Sequence, residues 1–295
     1  MSKRKTRKSK HRKVNREYKS DVFKMYFSIK KNALELYNAL NNTNYTDENE
    51  LIINTLENSV FMKIYNDVSF VISGTMNLYE HQSSVNPNMP LRDLFYIAEL
   101  YKTAVPHKDL YGPRLLRLPT PKFVVFYNGT TNISDIQTLK LSDSYTTKTD
   151  NPELELTVQV LNVNYGHNRA LMEKCIPLRD YSILNQRSKD NLNAGNNIED
   201  AVTRAVDSCI EDHIMEEFLL KEKAGVIKMH VLDFNEKLHD QSLREEGREE
   251  GRTDFILNML ANGKTPREIS DFCGIPLETV LNAQKGSTHV FESAQ

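Results

Sequence analysis

The chain has 295 residues, 39% of them hydrophobic and 26% charged, with a formal net charge of −2, a balance that fits a soluble, globular chain holding one domain of about 150 residues plus appended structure. No run of about 18 apolar residues exists to span a membrane, and the basic N-terminus lacks the apolar stretch of a secretory signal. Three widely spaced cysteines, Cys175, Cys209 and Cys273, argue against a disulfide framework or a zinc site and point to a reducing cytoplasm.

The near-neutral total conceals an asymmetry. Residues 1–19 hold ten Lys/Arg and one acid, Glu17, which leaves 28 basic against 39 acidic residues in the remainder, a net −11. Such an arm, 1–20, cannot bury apolar surface and is expected to be disordered. It reads either as a solubilising extension or, better, as a salt-sensitive contact to nucleic-acid phosphates. An acidic body needs local positive potential to approach DNA.

Past the arm, Val22 to Asn41 has no Gly or Pro and predicts one helix. Three strand-like runs follow: Val60–Ile64, then Asp67–Ser73, then Thr75–Gln82 across a turn at Gly74. Their β-branched and aromatic residues around a turn glycine are the pattern of a hairpin. Leu91–Val105 predicts a helix with Leu94, Phe95, Ala98 and Tyr101 on one face, closed by Pro106. Lys122–Tyr127 and Leu156–Asn164 predict further strands. From about residue 195 the chain turns helical, through a charged joint in which Glu-Glu-Gly-Arg repeats within Leu243–Arg252. Thr265, Pro266 and Glu268 supply an N-cap, a first-turn proline and a capping-box partner. Helix, glycine turn and helix over 254–283 resemble a helix-turn-helix. The second helix has no Arg or Lys at Leu277–Asn282, so protein contact or capping outweighs base reading there.

Asp67 and Glu80 carry the chemistry. One stands near the start of a strand and the other near the end of its antiparallel neighbour, so the two carboxylates can meet. Alternation along the strand puts Gln82 on the face of Glu80 and His81 opposite, which makes His81 a packing residue rather than a ligand. Two hard oxygen ligands at a sheet end suit Mg²⁺, commonly held by one or two carboxylates, water and phosphate. No Gly-x-Ser-x-Gly elbow accompanies Ser83 and Ser84, and no phosphate-binding loop for ATP is present.

Five segments in order carry a resemblance: Asp21-Val22-Phe23-Lys24, Asn66-Asp67-Val68-Ser69-Phe70, Glu80-His81-Gln82-Ser83-Ser84, Asn86 to Arg92, and Phe123 to Gly129. Over about residues 21–165 the chain resembles the PD-(D/E)XK nuclease superfamily, in its transposase and recombination-promoting nuclease branch. The resemblance implies an α/β fold: a PD-(D/E)XK-like restriction-endonuclease core, with a mixed sheet flanked by helices, and an α-helical C-terminal extension. The implied divisions are the arm 1–20, a nuclease-like domain 21–195, a helical linker 196–252 and a small helix-turn-helix-like unit 253–285.

The implied activity is Mg²⁺-dependent endonucleolytic hydrolysis of DNA by Asp67, Glu80 and Gln82, with Asp67 and Glu80 as the metal ligands. Gln82 stands where the wider superfamily has lysine and brings no positive charge. Arg92 is either a phosphate contact or the ion-pair partner of a nearby acid, and Glu35 reads as a surface acid rather than a further ligand. An inactive DNA-binding relic and an RNA nuclease are the alternatives. DNA is the expected partner, a homo-oligomer stays open, and no membrane is involved.

Overall fold

Ser73 and Gly74 organise the sheet. Both have positive φ, 46° and 74°, as a two-residue turn compatible with strand twist requires. They join β2 (Val68–Ile72) to β3 (Thr75–Gln82) in register, Ile72 opposite Thr75 through Val68 opposite Tyr79. The computed structural model describes residues 22–53, 67–105 and 107–292. The basic arm, Asp21, the strand expected at Val60–Ile64, Asn66 and Pro106 lie outside the described residues.

The architecture is mixed α/β. A six-stranded sheet runs in the order β1-β2-β3-β4-β6-β5, where β1 is Ile52–Ile53, β4 Thr120–Tyr127, β5 Ile136–Lys140 and β6 Thr157–Asn162. β1, β2 and β3 pair antiparallel, β4 lies parallel to both β3 and β6, and β5 returns antiparallel on β6. The parallel partners β3 and β4 are joined through α3 (Met89–Ala104), the crossover such a pair needs.

Each sheet face is covered by helices. On one side Met76 and Leu78 of β3, Phe123, Val125 and Tyr127 of β4, and Val158 and Val160 of β6 pack against Met89, Tyr96, Ile97 and Leu100 of α3. The buried stripe of α3 thus runs through 89, 93, 96, 97 and 100, a helical i, i+4, i+7 spacing. This corrects the face expected from the sequence: Phe95 and Ala98 are exposed, and Leu94 and Tyr101 only flank the core. On the opposite side an aromatic cluster joins Phe23 to Phe126, and Phe70 and Phe126 to Tyr79, at centroid separations of 5.1–5.4 Å. Edge and tilted contacts of this kind add to area burial.

The first helix of the sequence reading is two. α1 (Val22–Phe27) and α2 (Lys30–Asn41) are separated at Ser28 and Ile29, where Ile29 is extended and Ser28 Oγ donates to Lys24 O at 2.6 Å. The same carbonyl also accepts Ser28 N–H at 2.9 Å, so backbone and hydroxyl share one acceptor at the last turn of α1.

Beyond the sheet, α4 (Arg169–Lys174) leads into α5 (Ile176–Asn193), and α6 (Ile198–Glu211) into α7 (Glu216–Ala261). The chain divides into two compact units between Asp233 and Phe234. Residues 198–233 therefore belong to the first unit rather than to a linker over 196–252. α6 buries Ala201, Val202, Ala205, Val206 and Cys209, apolar area worth about 25 cal/mol per Å² that a solvated linker would not remove from water. In the second unit α8 (Pro266–Cys273) starts with the expected capping box, Thr265 and Glu268 each bonding the other's backbone N–H. It ends at Gly274 in the left-handed region, and α9 (Leu277–Glu292) follows. Ile256, Ile269 and Val280 form this unit's core. No described helix is long and apolar enough to cross a membrane.

Candidate functional site

Continuing the β2–β3 register one step past Val68 and Tyr79 sets Asp67 opposite Glu80. Directly opposed residues of an antiparallel pair share a face, with Cβ atoms about 5 Å apart. Asp67 is tied down by its strand partner: its Oδ2 accepts the backbone N–H of His81 at 2.6 Å. That bond locks the acid onto β3 beside Glu80.

Glu80 faces α3 and is only 5% exposed. The Arg92 guanidinium lies 3.7 Å from its Oε2, while its Oε1 is buried without a hydrogen-bond partner. Burial, then repulsion from Asp67, pushes the Glu80 carboxyl well above the usual carboxylate range, and Arg92 only partly offsets them. Asp93, on the same helix stripe, is 2% exposed with Oδ1 unpartnered. Burial raises it to about 7, against the pull of Arg92. Tyr96, one helical turn on, is also raised by burial and by Glu80.

Gln82 shares the face of Glu80, and its Nε2 and Arg92 Nη1 converge on Met89 Sδ at 2.7 and 3.2 Å. Arg92 thus pairs with an acid while 39% of its side chain remains in contact with solvent. His81 points the other way: its ring stacks on Phe23 at 5.1 Å and its Nε2 shares a hydrogen bond with Tyr181 Oη at 3.0 Å. Glu35 lies beside Tyr26 and Cys175, on the aromatic side of the sheet and away from Glu80.

The floor of the site is held by close backbone contact. Asn128 N donates to Gln82 O at 3.0 Å where β3 and β4 end together. A Cβ added at Gly129 would lie 2.0 Å from Ser83 O, so only glycine allows the two strand ends to meet. Behind them Asn128 Nδ2 donates to Tyr181 Oη and Asn185 Oδ1 at 3.2 and 3.3 Å, and Lys189 Nζ donates to Asn164 Oδ1 at 2.6 Å.

The structure therefore brings Asp67, Glu80, Gln82 and Arg92 to one face of one sheet end. Sequence reasoning missed Asp93 and Tyr96 and the asparagine network. For Asp93 the available signal was an acid standing four residues after Met89 and four before Ile97 in an apolar stripe. Hard carboxylate oxygens are the donors magnesium takes. Among the described residues, no three His, Cys, Asp or Glu side chains gather closely enough to hold a metal ion together.

Fold and site together define a mixed α/β protein with a buried, partly unpartnered acidic group where two parallel strands end. No protein-family model, no curated protein and no solved structure matches the chain.

Proposed function

We propose that this chain is a metal-dependent endonuclease of the PD-(D/E)XK type, in the transposase and recombination-promoting branch, and that it hydrolyses phosphodiester bonds of DNA. The observation that carries the reading is the placing of Asp67 opposite Glu80 at the end of β3, with Glu80 Oε1 buried and unpartnered. The order helix, three antiparallel strands, helix, then β4 parallel to β3 supports the same family, since it is the core order that family uses.

The donor set fits magnesium. An unpartnered buried carboxylate oxygen is costly unless something cationic meets it, and Asp67 and Glu80 offer hard oxygens on one face. These two residues would hold the ion. When bound, magnesium supplies Lewis-acid chemistry, screening phosphate charge and acidifying water. Asp67 is kept oriented by the His81 amide, so it would meet an ion with little reorganisation. Gln82 donates or accepts a hydrogen bond toward the phosphate or the attacking water, and as an amide it takes no proton. Arg92, 39% exposed, would pair with a substrate phosphate as it pairs with Glu80. Its planar fork suits both partners.

Plasmid nicking with and without Mg²⁺, comparing wild type with Asp67→Ala, tests the reading. Mg²⁺-dependent nicking lost in Asp67→Ala is the expected result. DNA binding without cutting by the wild type would overturn catalysis in favour of a non-catalytic DNA-binding protein. Cleavage of RNA alone would move the substrate class to RNA.

A further inference from the structure

We infer that Asp93 is a third carboxylate of the cation site, holding the ion through its water shell and making the site selective for a divalent ion. This rests on the reading of Asp67 and Glu80 as direct ligands.

The placement of Asp93 is the first ground. It occupies the core-facing stripe of α3 with Met89, Tyr96, Ile97 and Leu100, where helix packing calls for an apolar residue. An acid is rarely buried there unless it is paired or meets a metal. One of its oxygens, Oδ1, is buried and unpartnered, as is Oε1 of Glu80, whose charge Asp93 opposes. Two carboxylates of one helix–sheet interface thus each leave an oxygen unmet.

Charge is the second ground. Asp67, Glu80 and Asp93 together carry three negative charges when ionised, and Arg92 beside them carries one positive. The shortfall is two, which one divalent cation makes good. Monovalent ions leave a buried charge unmatched, at a cost of several kcal/mol.

Geometry decides the mode. The described residues contain no three acidic, histidine or cysteine side chains close enough to bind a metal directly together. Magnesium dehydrates reluctantly and keeps several waters, so a third carboxylate one water away is the arrangement that fits. Outer-shell partners of this kind orient and charge a site, and their loss commonly costs ten- to a hundredfold in affinity.

Calorimetric titration of Mg²⁺ and of Mn²⁺ into the full chain tests this, with wild type, Asp93→Asn, Asp93→Ser and Asp67→Asn compared. One site is expected in the wild type, with affinity about ten- to a hundredfold weaker in Asp93→Asn at unchanged stoichiometry. Melting curves without metal should show Asp93→Asn at least as stable as wild type, which separates lost affinity from lost fold. Asp93→Ser serves the same comparison in a smaller volume. Equal affinity of wild type and the Asp93 variants, with Asp67→Asn weakened, overturns the role of Asp93 alone. A wild type that binds neither ion, indistinguishable from Asp67→Asn, overturns the ion site as well.

Discussion

Asp93 and Glu80 hold protons more tightly in the folded chain than in the unfolded one, because burial penalises their ionised forms. Below about pH 3 both states are protonated and the difference is silent. As pH rises past the ordinary values of 3.8 and 4.5 the unfolded chain ionises first, while Asp93 in the fold keeps its proton to about 7. The folded state binds more protons across that window, so this site's contribution to stability falls with rising pH. The metal-free protein should therefore lose stability between pH 4 and 7. Asp93→Asn should flatten the loss, with a gain at pH 8 on the order of 2–4 kcal/mol, since one pKa unit corresponds to about 1.4 kcal/mol. Thermal melts in chelator from pH 4 to 8 check this. Parallel curves for the two proteins would show that Asp93 ionises in the fold as it does unfolded.

At the scale of elements, the strand ends are the most constrained part of the site. Gly129 is required by space, not by backbone conformation, because a side chain there meets Ser83 O and the Tyr127 hydroxyl at 2.0 and 2.5 Å. Gly129→Ala should destabilise the first unit by about 1–3 kcal/mol, the usual cost of overpacking, and displace Ser83 next to Gln82. Denaturant melts give the first effect, and a weakened Mg²⁺ response in a folded variant gives the second. Unchanged stability would mean that the loops part more easily than the backbone contact implies.

The elements also show what a sequence pattern can carry. Gly74 with flanking β-branched runs made the hairpin legible, and period-two alternation put Glu80 and Gln82 opposite His81, because both signals are local. Thr265 and Glu268 were legible for the same reason. The buried face of α3 was not. Asp93 looks polar and so shifts the apparent apolar stripe onto Leu94, Phe95 and Ala98, when tertiary packing selects 89, 93, 96, 97 and 100. The edge strand β5 alternates exposed with half-buried positions and carries too weak an apolar signal to stand out. The partnership of Asn128 with Tyr181 and Asn185, 53 and 57 residues away, has no local signature at all.

At the scale of the whole molecule, the contrast between a basic arm and a body of net −11 makes the proposed DNA binding an electrostatic question. Each phosphate the arm neutralises releases counterions and steepens the salt dependence. Deleting residues 1–20 should weaken DNA binding and flatten the slope of log affinity against log salt, leaving the melting temperature of the rest in place. Equal affinity and slope would move binding to the body, with Arg92 as the next candidate.

The central claim is that Glu80, with Asp67, is the acid on which phosphodiester cleavage depends. Glu80→Gln tests it most directly, because the substitution keeps shape, removes the charge a cation needs, and replaces a carboxyl that the metal-free fold already favours in its neutral form. Supercoiled plasmid cleavage should be measured in millimolar Mg²⁺ for wild type and Glu80→Gln at matched concentration. The account predicts a rate lower by about 100-fold or more, a loss of several kcal/mol of transition-state stabilisation, in a protein that melts no lower than wild type without metal. Cleavage by Glu80→Gln at the wild-type rate would contradict it.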